Sequence, residues 1–375
     1  MFFFTRRVTV AISTAAVITT GCGGSGSGLP SAAVNPVNAG ISSAPADSTS
    51  ILKKLTKDVL IGSTIDPKNG DTGPRAISIA RVNFGLKKGQ VLVCNFADAS
   101  GTPGKGTTIE VFNPTPSSSP KTYVTNAKIQ GCDGDALTSG NQLYAAGYSS
   151  GVVAYFDEKA KYKKSIGPPL KQPLGEGDLY NTQQYSTEYM FVGDAQTGGV
   201  INFAVGGYGN PKPTQVISGF AVSGNGWGAL GPSGLDYDLK KDKLYILDGV
   251  TNTIISVSHP GDLLIKNEIV VQPGGKTFKC AHPADTCAKL IYSGSPLNAP
   301  VALTLLPNGN LIVANTKGGN TLVEITPTGQ VLATKVIDSS QTAGIFALAG
   351  VGSNDSNAAL YYTDTNSNEL HKLEQ

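Results

Sequence analysis

The chain has 375 residues, 46 glycines, a formal net charge of +2 and only 15% charged residues. This length fits two average domains or one large all-β domain, and the composition favours many strands joined by tight turns over a helical protein. Because the net charge is small and the basic residues are scattered, composition gives no argument for binding to nucleic acid or to an acidic substrate.

Residues 1–21 have the features of an export signal. Two arginines precede an apolar stretch at residues 8–20, which is too short to span a bilayer as a stable helix. Small residues then lead to Cys22, and this arrangement resembles the lipobox of bacterial lipoproteins, although Thr19 replaces the usual leucine. The resemblance implies a lipid on Cys22 and a protein anchored in the bacterial cell envelope, at the outer membrane or facing the periplasm. Cleavage by the ordinary signal peptidase, which would give a secreted protein, is the alternative.

Residues 22–50 predict a flexible low-complexity tether. Small and polar residues with several prolines cannot bury a hydrophobic core. The folded domain is therefore predicted to cover residues 51–375.

The cysteine count supports an oxidising compartment. The chain has five cysteines, and removing Cys22 leaves four, enough for two disulfides. Cys280 and Cys287 are predicted to close a small surface loop. The alternative is a metal site that adds His282 and Asp285, but the sequence lacks a second Cys or His pair to complete it.

The other predicted disulfide joins Cys94 to Cys132. Cys94 lies on a strand of the first repeat described below, and Cys132 begins a strand of the second. Adjacent repeat units pack against each other, so the two strands can approach. Two buried free thiols are the alternative.

One pattern occurs six times along the chain. The copies are "GQVLVCNFAD", "NQLYAAGYSS", "EYMFVGDAQT", "DKLYILDGVT", "GNLIVANTKG" and "AALYYTDTNS". Their first apolar residues are Val91, Leu143, Met190, Leu244, Leu311 and Leu360, which lie 47 to 67 residues apart. This spacing is typical of the blades of a propeller.

A turn residue follows each of these apolar residues by four positions. Five of the six are Asn or Asp, whose side chains bond to nearby backbone and so start tight turns. These five are Asn95, Asp194, Asp248, Asn315 and Asp364, and the second copy has Gly147. A further strand follows each turn, and several copies also have a strand before the apolar residue and another after the pair.

These features resemble those of NHL-repeat propellers. The resemblance covers approximately residues 66–375 and implies an all-β, six-bladed β-propeller with four-stranded blades. The chain ends after a third strand, so an N-terminal strand from residues 51–62 is predicted to complete the last blade and close the ring. A seven-bladed ring, in which the 67-residue interval hides an irregular blade, is the alternative.

Three local motifs do not meet the requirements of the sites they resemble. "GYSSG" places Ser149 in a turn between strands, whereas a nucleophile elbow needs a following helix. "GTPGKGTT" has glycine after Lys105 where a phosphate loop needs Ser or Thr. "DPKNGDTGP", which begins at Asp66, has Lys68 at a ligand position of a calcium loop, so a solvated loop is predicted.

Lyases with this type of propeller use histidines gathered at the central channel. The three histidines here are His259, His282 and His371. Repeat alignment does not place them at the channel.

Metal-dependent gluconolactonase-like propellers place Asn, Asp or Glu where the inner strands begin. The equivalent positions here lie near Ser233, Ala299 and Ala343, whose side chains cannot hold a divalent cation. Asp133 is the one carboxylate predicted at such a point. No metal, cofactor or catalytic residue is therefore predicted.

The sequence favours a lipid-anchored, extracytoplasmic propeller that acts as a binding or scaffolding module. Its expected partner is a protein or carbohydrate at one face of the ring, with membrane contact through the lipid alone and no nucleic acid. The alternative is a lactonase- or lyase-like enzyme whose site residues do not align with the known pattern.

Overall fold

The computed structural model describes residues 49–180, 187–205 and 212–375. Two compact units divide at residue 44, and the described residues belong to the second, Pro45–Gln375. The predicted signal peptide, Cys22 and nearly all of the predicted tether lie outside the described residues. In the described part of the chain, no helix has the length and apolar character needed to cross a membrane.

The structure confirms the predicted all-β, six-bladed β-propeller. Each blade is a sheet with one inner strand and further strands in order outward. Blade 1 consists of β2 (Thr72–Ile79), β3 (Val91–Ala97), β4 (Thr108–Phe112) and β5 (Lys121–Thr125). Blade 2 consists of β6 (Cys132–Leu137), β7 (Leu143–Gly147), β8 (Val152–Phe156) and β9 (Tyr162–Ile166). Blade 3 contains β10 (Pro173–Leu179), β11 (Tyr189–Asp194), β12 (Gly199–Ala204) and β13 (Thr214–Ser218).

The remaining blades follow the same plan. Blade 4 consists of β14 (Pro232–Asp238), β15 (Lys243–Asp248), β16 (Thr253–Ser258) and β19 (Ala288–Ser293). Blade 5 consists of β20 (Pro300–Leu305), β21 (Leu311–Asn315), β22 (Asn320–Ile325) and β23 (Val331–Asp338). Blade 6 consists of β24 (Ile345–Val351), β25 (Ala359–Asp364), β26 (Glu369–Glu374) and β1 (Lys57–Ser63), and β1 pairs antiparallel with β26. Short 3₁₀ turns occur at Ala127–Ile129, Gly226–Gly228, Pro260–Asp262 and Asp355–Asn357.

The long interval between the fourth and fifth repeats does not form a seventh blade. Its extra residues form β17 (Ile269–Val271) and β18 (Phe278–Cys280). These two strands extend the sheet of blade 3, because β17 pairs in parallel with β13. The seven-bladed alternative is therefore wrong.

The second strand of each blade is apolar because both of its faces are covered. In β3 every residue is buried, and in β15 the run from Leu244 to Leu247 is fully buried. A strand buried on both faces needs a continuous apolar sequence rather than an alternating one. This explains why the repeat is recognisable from its second strand.

The segment before β1 is fixed between blades 5 and 6. Ile51, Leu52 and Leu55 are buried in a core cluster with residues of both blades. The carboxyl group of Glu324 on β22 accepts hydrogen bonds from the Ser50 hydroxyl (2.6 Å) and from the backbone N–H of Leu52 (2.9 Å). The segment from residue 50 to β1 is thus packed against the propeller.

The turn residues named from the repeat have two roles. Asp194 and Asp248 accept hydrogen bonds from the backbone N–H groups two and three residues ahead, and Asp364 accepts one from two residues ahead. Asn95 and Asn315 instead donate to backbone carbonyls of the segments that enter the inner strands of their blades.

Both predicted disulfides are present. Cys94 and Cys132 link blade 1 to blade 2 with a Cα–Cα distance of 5.6 Å, and both side chains are fully buried. Cys280 and Cys287 close the small loop with a Cα–Cα distance of 5.5 Å. The alternatives of free thiols and of a metal site at the small loop are wrong.

Candidate functional site

The six inner strands surround a cavity of about 590 Å³ along the axis of the ring. Strands β2, β6, β10, β14, β20 and β24 all contribute residues to its wall. The cavity is within the size range of small-molecule sites. It is the candidate functional site.

Each inner strand contains a β-bulge near its start, which changes the residues that reach the cavity. Pairing with the second strand shifts register between Pro74 and Ala76 in β2 and between Cys132 and Gly134 in β6, and the other four inner strands shift at the corresponding place. Bulges are common next to active sites because they redirect a side chain. The bulged residues of the first two blades are Arg75 and Asp133.

Arg75 and Asp133 form a buried ion pair at one end of the cavity. The Arg75 Nε lies 2.8 Å from Asp133 Oδ1, and both side chains are almost completely buried. The guanidinium also lies 4.5 Å from the ring centres of Phe96 and Phe346. Burial raises the pKa of Asp133 to about 7, although the charge of Arg75 opposes the shift.

A glycine-rich loop lies against this end of the channel. The bridge between Ser223 and Leu230 closes the loop, and Trp227 at its tip lies 5.8 Å from the Arg75 guanidinium. Arg75 Nη1 donates a hydrogen bond of 3.0 Å to the carbonyl of Gly226. Arg75 therefore binds both the loop and Asp133.

The middle of the channel has two neighbouring acids with unfilled hydrogen-bonding capacity. The Ser78 hydroxyl donates to Asp135 Oδ2 (2.9 Å), but Asp135 Oδ1 has no hydrogen-bond partner among the described residues. Both carboxyl oxygens of Glu176 are buried, and no described residue bonds to either. Gly134 on the adjacent strand makes room for this side chain, since a Cβ there would lie 3.0 Å from Glu176 Cγ.

Burial makes both acids hard to ionise. It raises the pKa of Asp135 to about 7, against the hydrogen bond from Ser78. Burial also raises the pKa of Glu176 well above its usual range, and the charges of Asp135 and Asp178 raise it further. Two adjacent carboxyl groups in a low-dielectric site cannot both be charged without a compensating cation.

The other end of the cavity contains a second ion pair. The Arg81 guanidinium contacts the Asp178 carboxyl group, and its carbon lies 4.1 Å from the centre of the Tyr180 ring. The carboxyl group of Asp236 on β14 also lines the cavity. It accepts hydrogen bonds from backbone N–H groups and from the Thr304 hydroxyl (3.1 Å), so both of its oxygens have donors. Within the described part of the chain, neither arginine forms an ion pair with Asp135 or Glu176.

The structure corrects the sequence-based map of the channel wall. Ser233 lines the cavity, but Ala299 and Ala343 do not; Val301 and Phe346 occupy the corresponding bulges. Asp133 lies at the predicted start of an inner strand. It is not the only carboxylate of the wall, because four others lie further along their strands: Asp135, Glu176, Asp178 and Asp236.

A faint sequence signal for these acids existed. The inner strands of blades 2 and 3 read "CDGDAL" and "GEGDL", in which acids alternate with glycine where other blades have apolar residues. An acid in an otherwise buried strand needs a specific environment. The signal shows which residues are unusual but not that they meet.

The three histidines lie away from the cavity wall, as the repeat alignment predicted. His259 pairs with Asp242 and His282 with Glu268, each at 2.8 Å. His371 lies on the outer part of blade 6. Across the described residues, no group of three His, Cys, Asp or Glu side chains is placed to hold a metal ion.

The loop that begins at Asp66 is exposed at residues 67–69, in line with the prediction, but its two aspartates are not. Asp66 and Asp71 are buried. Asp66 accepts a hydrogen bond from the Thr122 hydroxyl (2.6 Å), and Asp71 accepts one from the Thr107 N–H (2.6 Å). These bonds fix the connection between β1 and β2 to blade 1. Ser149 is exposed in the turn after β7, as expected.

No protein-family model matches the chain, and no curated protein is similar to it in sequence. Solved structures share its fold. A putative gluconolactonase has 13% identity and a TM-score of 0.52, covering 85% of this chain and 91% of that one. A catalytically inactive virginiamycin B lyase from Staphylococcus aureus, solved with quinupristin, has 15% identity, a TM-score of 0.51 and 85% coverage of each chain. A protein of unknown function from Bacteroides thetaiotaomicron has 13% identity and a TM-score of 0.52, covering 84% and 74%.

At these identities the likeness shows the propeller fold alone. The chain is thus a six-bladed β-propeller with an acidic axial channel.

Proposed function

We propose that the protein is a binding module whose ligand is a small polar organic molecule, of the size of a simple carbohydrate, held in the axial channel. The observation that carries the proposal is the pair Asp135 and Glu176, which leaves three buried carboxyl oxygens without partners in a cavity of about 590 Å³. Burying polar groups without partners is costly, and such groups in native proteins call for a functional explanation. These three oxygens belong to residues of the channel wall rather than of the ring's outer faces, which favours a small ligand over a protein partner.

A binding screen tests this proposal. The chain has a single tryptophan, Trp227, so its intrinsic fluorescence reports on the Arg75 end of the channel. We expect a member of a panel of sugars, amines and organic acids to change this fluorescence saturably and to raise the melting temperature. Glu176→Leu should abolish both effects.

The matched control is Asp262→Asn, which removes an exposed carboxyl group outside the channel. Its binding curve should match that of the unchanged protein. If no compound binds, or if Glu176→Leu binds as well as the unchanged protein, the channel is not the ligand site.

A lactonase- or lyase-like enzyme is the second candidate. It is favoured by Asp133 and Asp135, each with a pKa of about 7, because such a group can both accept and donate a proton near neutral pH. The test is product formation from a panel of lactones. Turnover that Asp135→Asn removes, with binding of the same lactone retained, would support this candidate over simple binding.

We also propose that the module is attached to the bacterial cell envelope by a lipid on Cys22, and that its blades are of the NHL type. The lipobox-like segment and the low-complexity residues that follow it support the anchor. Because buried acyl methylenes provide most of the membrane affinity, Cys22→Ser should lose labelled palmitate and move to the soluble fraction. An unlabelled parent protein would rule out the anchor and favour a secreted module.

A further inference from the structure

Six equivalent residues of the channel wall, one from each inner strand, differ in character between the two sides of the channel. They are equivalent because each pairs with the same position of the second strand of its blade, and all six line the cavity. They are Ile77, Asp135, Glu176, Leu235, Leu303 and Leu348. We call this set the mid-channel ring. Two adjacent members are acids and the other four are aliphatic.

The acidic side of the mid-channel ring has no cation of its own. Arg75 is paired with Asp133 at one end of the cavity, and Arg81 is paired with Asp178 at the other. Among the described residues, only the Ser78 hydroxyl donates to this side, and it reaches one oxygen of Asp135. Three buried carboxyl oxygens of residues in the channel wall therefore lack a donor among the described residues.

We propose that the mid-channel ring binds the ammonium group of an organic amine, with its apolar body against the aliphatic side. This inference rests on the proposed function of the channel as a ligand site. An ammonium group carries three N–H donors and one positive charge. It can thus supply the three missing donors and the missing charge together.

The aliphatic side argues against a bare metal ion as the occupant. Calcium takes six to eight oxygen ligands and magnesium takes a near-octahedral set. Leu235, Leu303 and Leu348 supply none, and in the described part of the chain no three acidic, His or Cys side chains are arranged for a metal. The same leucines give an alkyl or alicyclic body a surface to pack against.

Three compounds that share one apolar body test the inference: cyclohexylamine, cyclohexanol and cyclohexanecarboxylate. Titration calorimetry with the complete folded domain measures Kd for each. We expect cyclohexylamine to bind more tightly than the other two. Glu176→Gln should weaken it at least about 30-fold, the scale for losing one partner of a buried charged pair. Asp262→Asn is the control and should leave Kd unchanged.

Proton release gives a second measurement, because binding through apolar contacts alone would release no proton. The ionisable side chains that line the cavity with Glu176 are the acids Asp133, Asp135, Asp178 and Asp236, the bases Arg75, Arg81 and Lys88, and the phenols Tyr180 and Tyr237; of these, Asp135 and Asp178 act on its pKa. An entering cation favours the charged form of Glu176, so about one proton should leave per amine bound. The calorimetric enthalpy should then vary with the ionisation enthalpy of the buffer. Asp135→Asn serves as a second variant if Glu176→Gln does not fold.

The outcomes separate this inference from the proposed function. Tight binding of cyclohexylamine that depends on Glu176 and releases a proton supports it. Equal binding of cyclohexanol, or amine binding that Glu176→Gln and Asp135→Asn leave unchanged, overturns the amine inference while the channel remains a ligand site. If neither these compounds nor any member of the wider panel binds, both proposals fail.

Discussion

The disulfide between Cys94 and Cys132 joins blade 1 to blade 2, and we expect its removal to destabilise the fold more than removal of the second disulfide. The two bridges close loops with sequence separations of 38 and 7 residues. In the chain-entropy description, these lengths correspond to about 4 and about 2 kcal/mol of unfolding free energy. The first bridge is also fully buried, whereas Cys280 and Cys287 lie partly exposed.

The double variants Cys94→Ala/Cys132→Ala and Cys280→Ala/Cys287→Ala provide the comparison, by urea unfolding without reductant. The first should lose about 1.6 times as much free energy of unfolding as the second. Treatment of the native protein with dithiothreitol should reduce the Cys280–Cys287 bridge first, because attack by a thiolate needs access. Equal losses, or faster reduction of the buried bridge, would refute the reasoning from loop length and burial.

Three further changes test other parts of the structure. Glu324→Ala removes the acceptor to which Ser50 and Leu52 donate, so the free energy of unfolding in urea should fall by about 3 kcal/mol. An unchanged urea midpoint would mean that the segment before β1 is not fixed there. Because the pKa of Asp135 rises to about 7 on folding, the folded state binds more protons than the unfolded state between about pH 4 and 7, and stability falls as pH rises through this window. The parent should therefore lose about 2–3 kcal/mol of unfolding free energy relative to Asp135→Asn when the pH is raised from 5 to 7, because each pH unit in this window corresponds to about 1.4 kcal/mol. Parallel profiles of unfolding free energy against pH would contradict the raised pKa. Gly175→Ala should destabilise by at least about 1–3 kcal/mol, since φ is +72° and a Cβ would lie 1.7 Å from the Ser233 carbonyl oxygen; a normal melting temperature would count against this close approach of blades 3 and 4.

The sequence predicted the architecture because a blade is a local object. Each copy of the repeat contains a buried second strand such as Leu311–Asn315, and its apolar run and turn residue lie within a few positions of each other. Local patterns of this kind survive in a single sequence. The irregular interval before blade 5 was harder, because whether β17 and β18 form a new blade or extend an old one depends on which edge they meet.

The candidate site, by contrast, could not be predicted from the sequence, because its residues come from different blades. Asp135 and Glu176 belong to different blades, and only closure of the ring brings them side by side around one axis. In blades 5 and 6 the bulge lies two or three residues beyond the position given by repeat alignment, so Val301 rather than Ala299 reaches the cavity. The sequence by itself determined which strands form and which residues are unusual within them. The tertiary structure decided which of those residues share a channel, because register and ring closure depend on contacts between residues far apart in the chain.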